Sequence, residues 1–464
     1  MRQDPGPVVV ILESTTAYQM ALADGIRRVL EPLDVPTVMH LWAPETASPP
    51  PCLVRLLRHG QPRGLIVVAF GNAQLNDQLG RLLDQVRGVP TVHIARPSPT
   101  PEASSVRTDN DLGMRLLAKH LVTECNAQKI LLVRGQPSHP DSQERESTMA
   151  DELGRLGAPV PPELRVDGGF LREPAYQAVL SALERHPGID AVAAFNDMSA
   201  FGAMDAIRDR GLRIPQDIMV CGFDDEPAAT LAQPSLTTIN QNLPEQGAIA
   251  ARMLLDLLDG KPPTSILAPV SLVVRESTRT DVSRATAEQR ANLLRRQTFE
   301  LDTTLGLSRA FMLCTTVSQA IDQLRASLPR LHADRSFLVL GTELLEPTAP
   351  PDGPGNDHRQ SGGERGRVMM AHTGAGSLNT DREQTFDLVR LLPQHHADEL
   401  RQGTLMVYPM WTGDTELGYL LIDRHRHGGS VINDVLRLDL YRCLFAIRSR
   451  MQLAAHADEL ERQV

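Results

Sequence analysis

The residues whose types and spacing suggest chemistry stand just after short apolar runs. Asn196 and Asp197 follow Ala191–Phe195, and Asp224 and Asp225 follow Met219–Gly222. Asp109 follows another strand-like stretch, and Arg145 opens a helical pattern. Short carboxylate and amide side chains at such ends accept from and donate to the hydroxyls of a small polar ligand, and a guanidinium adds a planar fork of donors. The same residue types also have purely structural uses. Asp197 and Asp225 suit helix capping or tying a turn, Asn196 suits satisfying loop backbone, and Gly202 and Gly222 suit close packing. Bond-breaking constellations are missing from the sequence. It contains no G-x-x-x-x-G-K-[ST], no H-E-x-x-H and no G-x-S-x-G. His395-His396 and the pair His425 and His427 have no carboxylate or cysteine at ligand spacing, so they read as surface histidines. No metal, no cofactor and no catalytic residue is expected.

The elements that must position these side chains follow from periodicity. Val8–Leu12, Leu65–Phe70, Thr91–Ile94, Lys129–Val133, Ala191–Phe195 and Met219–Gly222 read as buried strands. Amphipathic patterns lie between them at Met20–Leu33, Leu75–Val86, Asp111–Glu124, Ser142–Leu156, Pro174–His186, Ala200–Arg210 and Pro244–Leu258. This alternation predicts right-handed βαβ units and parallel sheets, and about 270 residues fit two such sheets better than one. Pro44–Pro51 and Arg96–Pro101 read as surface loops.

After Arg279 the pattern changes. Helical patterns at Thr286–Leu307 and Thr316–Leu331 precede strand-like runs at Ser336–Leu340, Val368–His372, Leu405–Met410 and Gly418–Ile422, with Asp414-Thr415 near the last turn. Glu346–Gly366 is low-complexity and reads as a loop. A smaller α+β domain with an antiparallel sheet is expected. The segment Ile432–Val464 reads as one helix, with Leu440, Leu444, Ile447, Met451 and Ala454 at a/d spacing and Leu453, Ala457, Leu460 and Val464 on a neighbouring stripe. Its start suits packing on its own domain, and its polar end suits dimerisation or connection. The boundaries expected are 1–279 (two lobes), 280–308 (connecting helix), 309–431 (α+β domain) and 432–464 (C-terminal helix).

Composition narrows the function. The 464 residues carry 57 acidic and 47 basic side chains, a formal charge of -10, which disfavours gripping nucleic acid through bulk positive charge. Lysine occurs at 119, 129 and 261 alone, so nearly all the basic residues are arginine. Aromatics are 4%, few for stacking on bases or sugars, with Phe170, Phe201 and Phe223 the candidates. No signal peptide or membrane-length apolar run is visible, and the five dispersed cysteines suggest no disulfide framework. A cytoplasmic location with buried, reduced thiols is the expectation.

The motifs of the first 280 residues, taken in order, resemble the sensor domain of the lactose/galactose repressor (LacI/GalR) family. They are Ser105-Val106-Arg107-Thr108-Asp109-Asn110, Lys119-His120-Leu121, Lys129–Val133, Ser142-Gln143-Glu144-Arg145, Ala193–Ala203, Gly211–Asp225 and Pro234–Ile239. The resemblance implies the type I periplasmic-binding-protein fold, two α/β lobes joined by three crossings. It places Asp109, Arg145, Asn196 and Asp224 at ligand-contacting positions, and Ser14 and Tyr18 in a further contact loop. Thr148 departs from the pattern, where the family commonly has glycine. The family's helix-turn-helix would need some 50–60 residues ahead of the first sensor strand, which here starts at Val8, so a DNA reader is not expected from this chain.

Leu391-Leu392-Pro393, Val407–Met410 and Glu416–Ile422 resemble a GAF-type sensory domain. The resulting expectation is a non-enzymatic cytoplasmic sensor and homodimer, with no membrane contact, acting in signal transduction or transcription regulation. A small polar metabolite of the sugar or nucleoside class closes the lobes, and the C-terminal helix passes the change to a partner. Closure switches an output only if ligand prefers one state. The alternative is a DNA-binding transcriptional regulator whose reader is missing here or supplied by a partner.

Overall fold

The computed structural model describes residues 6–43, 48–70, 73–86, 88–279, 287–331, 333–345, 365–374, 376–378, 380, 383–412, 415–423 and 430–463. The low-complexity stretch through residue 364, Asp414, His425 and His427 lie outside the described residues.

The first strands are β1 Val8–Leu12, β2 Thr37–Leu41, β3 Gly64–Val68, β4 Thr91–Ile94, β5 Ser104–Thr108 and β6 Ile130–Arg134. The next six are β7 Arg165–Asp167, β8 Ala191–Ala194, β9 Met219–Cys221, β10 Thr238–Asn240, β11 Ser265–Ala268 and β12 Ser271–Val273. The last are β13 Ser336–Gly341, β14 Arg365–Thr373, β15 Gly376–Leu378, β16 Phe386–Asp387, β17 Thr404–Thr412 and β18 Thr415–Asp423. The early helices are α1 Ala17–Leu30, α2 Pro51–His59, α3 Ala73–Leu83, α4 Asn110–Lys119, α5 Pro140–Arg155, α6 Arg172–Arg185 and α7 Asp197–Asp209. Then come α8 Pro227–Leu231, α9 Leu243–Leu258, α10 Ala287–Met312, α11 Val317–Leu331, α12 Thr342–Leu345 and α13 Ser430–Gln463.

These elements form two compact units. The first contains Met1–Val106, Pro244–Ser265 and Gln297–Val464; the second contains Arg107–Leu243 and Ile266–Arg296. The chain therefore divides differently from a linear series of sensor, connector and C-terminal domain.

In the second unit, β7-β6-β8-β9 form a parallel sheet. Its inner strands β6, β8 and β9 are nearly continuous apolar runs because helices cover both faces, as a parallel sheet requires, whereas the edge strand β7 is polar and partly exposed. Ile130–Val133 and Ala191–Ala194 are buried throughout and pack with Leu117, Met149, Val179 and Ile207 from α4, α5, α6 and α7.

In the first unit, the sheet runs in the order β5-β4-β3-β1-β2-β17-β18-β13-β14-β15, with β16 on β14. The strands β5 to β2 pair in parallel, and the strands from β17 to β15 pair antiparallel. The join is β2 to β17, parallel, with Thr37 opposite Thr404 and His40 opposite Val407. An uncovered β2 would present a row of unpaired backbone groups, and β17 satisfies them. The apolar core is continuous across the join: Val9, Ile11 and Val38 belong to one cluster with Phe337, Val339, Val407, Tyr419 and Leu421.

Two further differences concern polar and sulfur groups. Pro51 opens α2 rather than closing a loop, since proline is tolerated in a first helical turn. All five cysteines are free, but only Cys52, Cys221 and Cys443 are buried; Cys125 and Cys314 are half-buried. The seam on α13 is spent inside its own unit. Leu440, Leu444 and Ile447 are buried there, whereas Leu453 and Leu460 on the neighbouring stripe are exposed. No helix among the described residues is long and apolar enough to cross a membrane.

Candidate functional site

The carboxyl ends of β6, β7, β8 and β9 lead into the loops that start α5, α6, α7 and α8. Helix N-termini therefore gather at one end of the sheet, where open α/β folds take their ligands.

Arg145, one turn into α5, is 4% exposed. Its Nε donates to Asn110 Oδ1 at 2.9 Å and its Nη1 to the Phe195 carbonyl at 2.5 Å. The guanidinium lies over the Phe223 ring, 3.7 Å from its centroid, a desolvated cation–π contact. These contacts fix the plane of the fork and leave Nη2 without a hydrogen-bond partner among the described residues.

Asp224 follows β9 with φ of +132°, and Asp225 with φ of +57°. Two consecutive non-glycine residues at positive φ store backbone strain, and the surrounding bonds hold it in place. Asp225 takes Arg275 Nη2 at 2.6 Å and Asn240 Nδ2 at 2.7 Å on its two oxygens, so it ties the turn. Asp224 Oδ1 accepts from Gln241 Nε2 at 2.5 Å, and Gln241 Oε1 accepts from Thr108 Oγ1 at 2.6 Å. Asp224 Oδ2 has no such partner among the described residues. Although Asp224 keeps some surface, burial of the carboxyl pushes its pKa well above the usual carboxylate range. The Arg145 charge opposes that shift, and Asp197 and Glu226 add to it.

The remaining acidic and amide residues are committed to the fold. Asn196 caps α7, its Oδ1 accepting from Ser199 N–H at 2.9 Å while Nδ2 donates to the Phe170 carbonyl at 3.1 Å. Asp109 caps α4 through Leu112 N–H at 2.9 Å. Asp197 is fully buried and accepts from Thr238 Oγ1 at 2.6 Å and Glu226 N–H at 2.8 Å. Burial raises its pKa to about 7; those two hydrogen bonds pull it down, and Glu226 and Asp225 push it up. Gly222 is required beside it, because an added Cβ would lie 2.3 Å from Asp197 Oδ1.

Asp109, Arg145, Asn196 and Asp224 thus all belong to the second unit, around the loops after β5, β8 and β9 and the start of α5. Ser14 and Tyr18 belong to the first unit, in the β1–α1 loop and the first turn of α1; Gln19 Oε1 fastens that loop through Glu13 N–H at 2.8 Å and Ser14 N–H at 3.3 Å. Sequence reasoning missed Asn110. It is 1% exposed, receives Arg145 and donates to Asp141 and Glu144, both at 3.0 Å. It also missed Gln241 and Thr108, which orient Asp224. Asn110 stands next to the capping Asp109, and a second polar residue where a helix should begin its apolar stripe was the available signal. Of the aromatic candidates, Phe223 carries Arg145, Phe201 is buried, and half-buried Phe170 lies edge-on to His139 at 5.3 Å.

The histidine pair departs from expectation. His396 is 8% exposed, not a surface residue, and both His395 and His396 reach Glu383. The carboxylate lies twelve positions upstream across a turn, outside any local ligand spacing.

Residues 118–278 match the family described as a periplasmic binding protein-like domain. The HTH-type transcriptional regulator CelR of Thermobifida fusca is 32% identical over 206 residues, 44% of this chain and 60% of that protein. The ribose operon repressor of Halalkalibacterium halodurans is 32% identical over 176 residues, 38% of this chain and 52% of that protein. The chain spans little more than half the length of these curated relatives. Among solved structures, a CelR–cellobiose complex aligns with a TM-score of 0.52 at 25% identity, over 59% of this chain and 86% of the other. A lac repressor dimer bound to operator and the anti-inducer ONPF aligns with a TM-score of 0.51 at 25% identity, over 60% and 96%. The match extends to the mixed α/β architecture with parallel sheets, and residues 118–278 match a periplasmic-binding-protein-like domain.

Proposed function

We propose that the protein is a non-enzymatic, ligand-sensing regulator that binds a small polar metabolite at Arg145 and Asp224. The observation that carries this reading is the pairing of a locked guanidinium with an unspent Nη2 and a strained carboxylate with an unspent Oδ2. One supplies donors and the other a carboxyl oxygen that burial holds toward the neutral acid, able to donate to or accept from a neighbouring hydroxyl, which suits adjacent hydroxyls of a sugar or the ribose of a nucleoside. Relatives named as a cellobiose complex and a ribose operon repressor favour the sugar class. Asp109 and Asn196 shape the site as caps and offer only their remaining hydrogen-bond capacity.

The antiparallel strands β13 to β18, flanked by α11 and α13, support a GAF-like C-terminal module. The exposed Leu301, Leu305 and Met312 of α10 and Leu453 and Leu460 of α13 support dimerisation and an output partner on these helices. The working site of such a regulator is the cytoplasm.

A thermal-shift screen of mono- and disaccharides and nucleosides against the full chain tests the site. Hits should stabilise the wild type and neither Asp224→Asn nor Arg145→Ala. Stabilisation that survives in both variants refutes the assignment. A second reading, direct or partner-assisted DNA binding, is favoured by relatives named as HTH-type regulators. A mobility-shift assay with fragments from upstream of its own gene decides it; retardation by the chain alone would place the reader within it.

A further inference from the structure

Glu383, His395 and His396 are not used by the site above. Glu383 Oε1 lies 2.9 Å from His395 Nε2 and 3.1 Å from His396 Nε2, and Oε2 lies 2.9 Å from His395 Nε2. One ligand atom from each residue falls within 4.8 Å of the others. We propose that these three residues form an open site for a divalent transition ion of the zinc class, held by two imidazole Nε2 atoms and one carboxylate.

The geometry carries the argument first. A tetrahedral zinc with bonds of about 2.0–2.1 Å spaces nitrogen and oxygen ligands about 3.3–3.4 Å apart. The two measured edges are only slightly shorter, so a small outward relaxation opens a seat at the centre of the triangle.

The electrostatics carry it further. The Glu383 side chain is 10% exposed, and its ion-pairing partners among the described residues are these two imidazoles. Among the described residues, no lysine or arginine pairs with it. A carboxylate with so little access to water requires a compensating positive charge or strong donors. A bound dication supplies that charge while both histidines stay neutral, the form in which imidazole ligates.

The fold fixes the three ligands independently. The Glu383 N–H donates to the Thr380 carbonyl at 3.0 Å, and Thr380 Oγ1 donates to the Met369 carbonyl of β14. His396 opens the short helix Gln394–Arg401, its N–H donating to the Pro393 carbonyl at 2.9 Å. Its ring packs 5.5 Å from Phe337 of β13 and 4.3 Å from the His395 ring. His395 is the exposed member, so the fourth coordination position faces water. Two nitrogen ligands and one oxygen ligand with an open position suit zinc or its cobalt and nickel analogues rather than calcium or magnesium, which prefer oxygen cages. The ion would clip the segment before β16 to the helix after it.

The test uses the full chain, stripped with EDTA and dialysed. Titration calorimetry with Zn2+ should find a site that Mg2+ does not fill, and a Co2+-loaded sample should show the visible absorption of a low-coordinate nitrogen and oxygen ligand set. Glu383→Gln and His395→Ala should each weaken that binding at least about tenfold, whereas His456→Ala, an exposed histidine on α13, should not. His395 is exposed, so its removal leaves the fold intact, and the unfolding midpoint in EDTA confirms this. Equal zinc affinity in the wild type and both site variants, or no zinc binding by the wild type, overturns the proposal and leaves a hydrogen-bonded trio.

Discussion

Two arginines with little access to water, one in each unit, are used in opposite ways. Arg55 of α2 forms a 2.7 Å ion pair with Glu416 of β18 and donates through Nε to the Leu388 carbonyl at 3.2 Å. Both side chains of that pair are nearly buried, at 13% and 11% exposure. Arg145 meets no carboxylate at ion-pair distance among the described residues; it lies on an aromatic face and keeps one nitrogen unspent. The first arginine joins two segments more than 350 residues apart in sequence. The second keeps Nη2 without a hydrogen-bond partner among the described residues. Limited access to water alone therefore does not distinguish the two. What distinguishes them is the balance between donors fixed by the fold and donors left over.

The sharpest way to break this comparison is Arg55→Ala. It strands Glu416 in a site with little access to water, and losing one partner of a buried pair costs about 3–5 kcal/mol. Urea unfolding should show that loss, and ligand binding by the second unit should be retained. A loss below about 1 kcal/mol would mean that the join between β2 and β17 rests on its apolar core alone.

The contrast also explains what the sequence could reveal. β1, β6 and β8 were legible because two-sided burial leaves Val8–Leu12, Ile130–Val133 and Ala191–Ala194 wholly apolar. β2 was not legible, because Thr37 and His40 interrupt its five buried residues. Its polar groups are satisfied locally and by α2: Thr37 Oγ1 donates to the Val35 carbonyl, His40 Nδ1 to the adjacent Leu41 carbonyl, His40 Nε2 lies 3.3 Å from Cys52 Sγ, and burial lowers the His40 pKa to about 3. Without β2, the merging of the C-terminal strands into the first sheet was invisible, and a separate domain was the natural expectation. In the candidate site, Arg145 and Asp224 were readable through family motifs. The capping roles of Asp109 and Asn196 depend on helix starts that periodicity places only to within a turn.

Gly222→Ala probes the second unit with a smaller effect. The new methyl group would press on Asp197 Oδ1 from 2.3 Å, displacing the carboxylate that receives Thr238 and Glu226. Overpacking of this kind costs about 1–3 kcal/mol. Because the same turn carries Asp224, ligand-induced stabilisation should fall along with stability. Arg55→Ala should not produce that coupling.

Asp197 also gives the two units different pH responses. Its folded pKa of about 7 lies above the ordinary value of 3.8, so the native state binds more protons than the unfolded chain between those values. Stability of the second unit should therefore fall as pH rises from about 4 to 7, the reverse of a salt-bridged carboxylate. Asp224, shifted in the same direction, adds to the slope. Denaturant midpoints measured across that range should decline with pH in the wild type and decline less in Asp197→Asn. An unchanged slope in the variant would remove Asp197 from the account.

The smallest expected effect separates scaffold from contact. Asn196→Ala removes the cap of α7 and should cost about 1 kcal/mol, read from urea unfolding. Its oxygen is already engaged by Ser199 N–H and one amide hydrogen by the Phe170 carbonyl, so ligand affinity should change only a few-fold. Asp224→Asn has the opposite profile: burial already favours the neutral carboxyl, so stability should hold or rise while ligand affinity collapses. If instead Asn196→Ala abolishes binding at unchanged stability, the amide reaches the ligand despite its two internal bonds, and unspent hydrogen-bonding capacity fails as the criterion that sets Arg145 apart from Arg55.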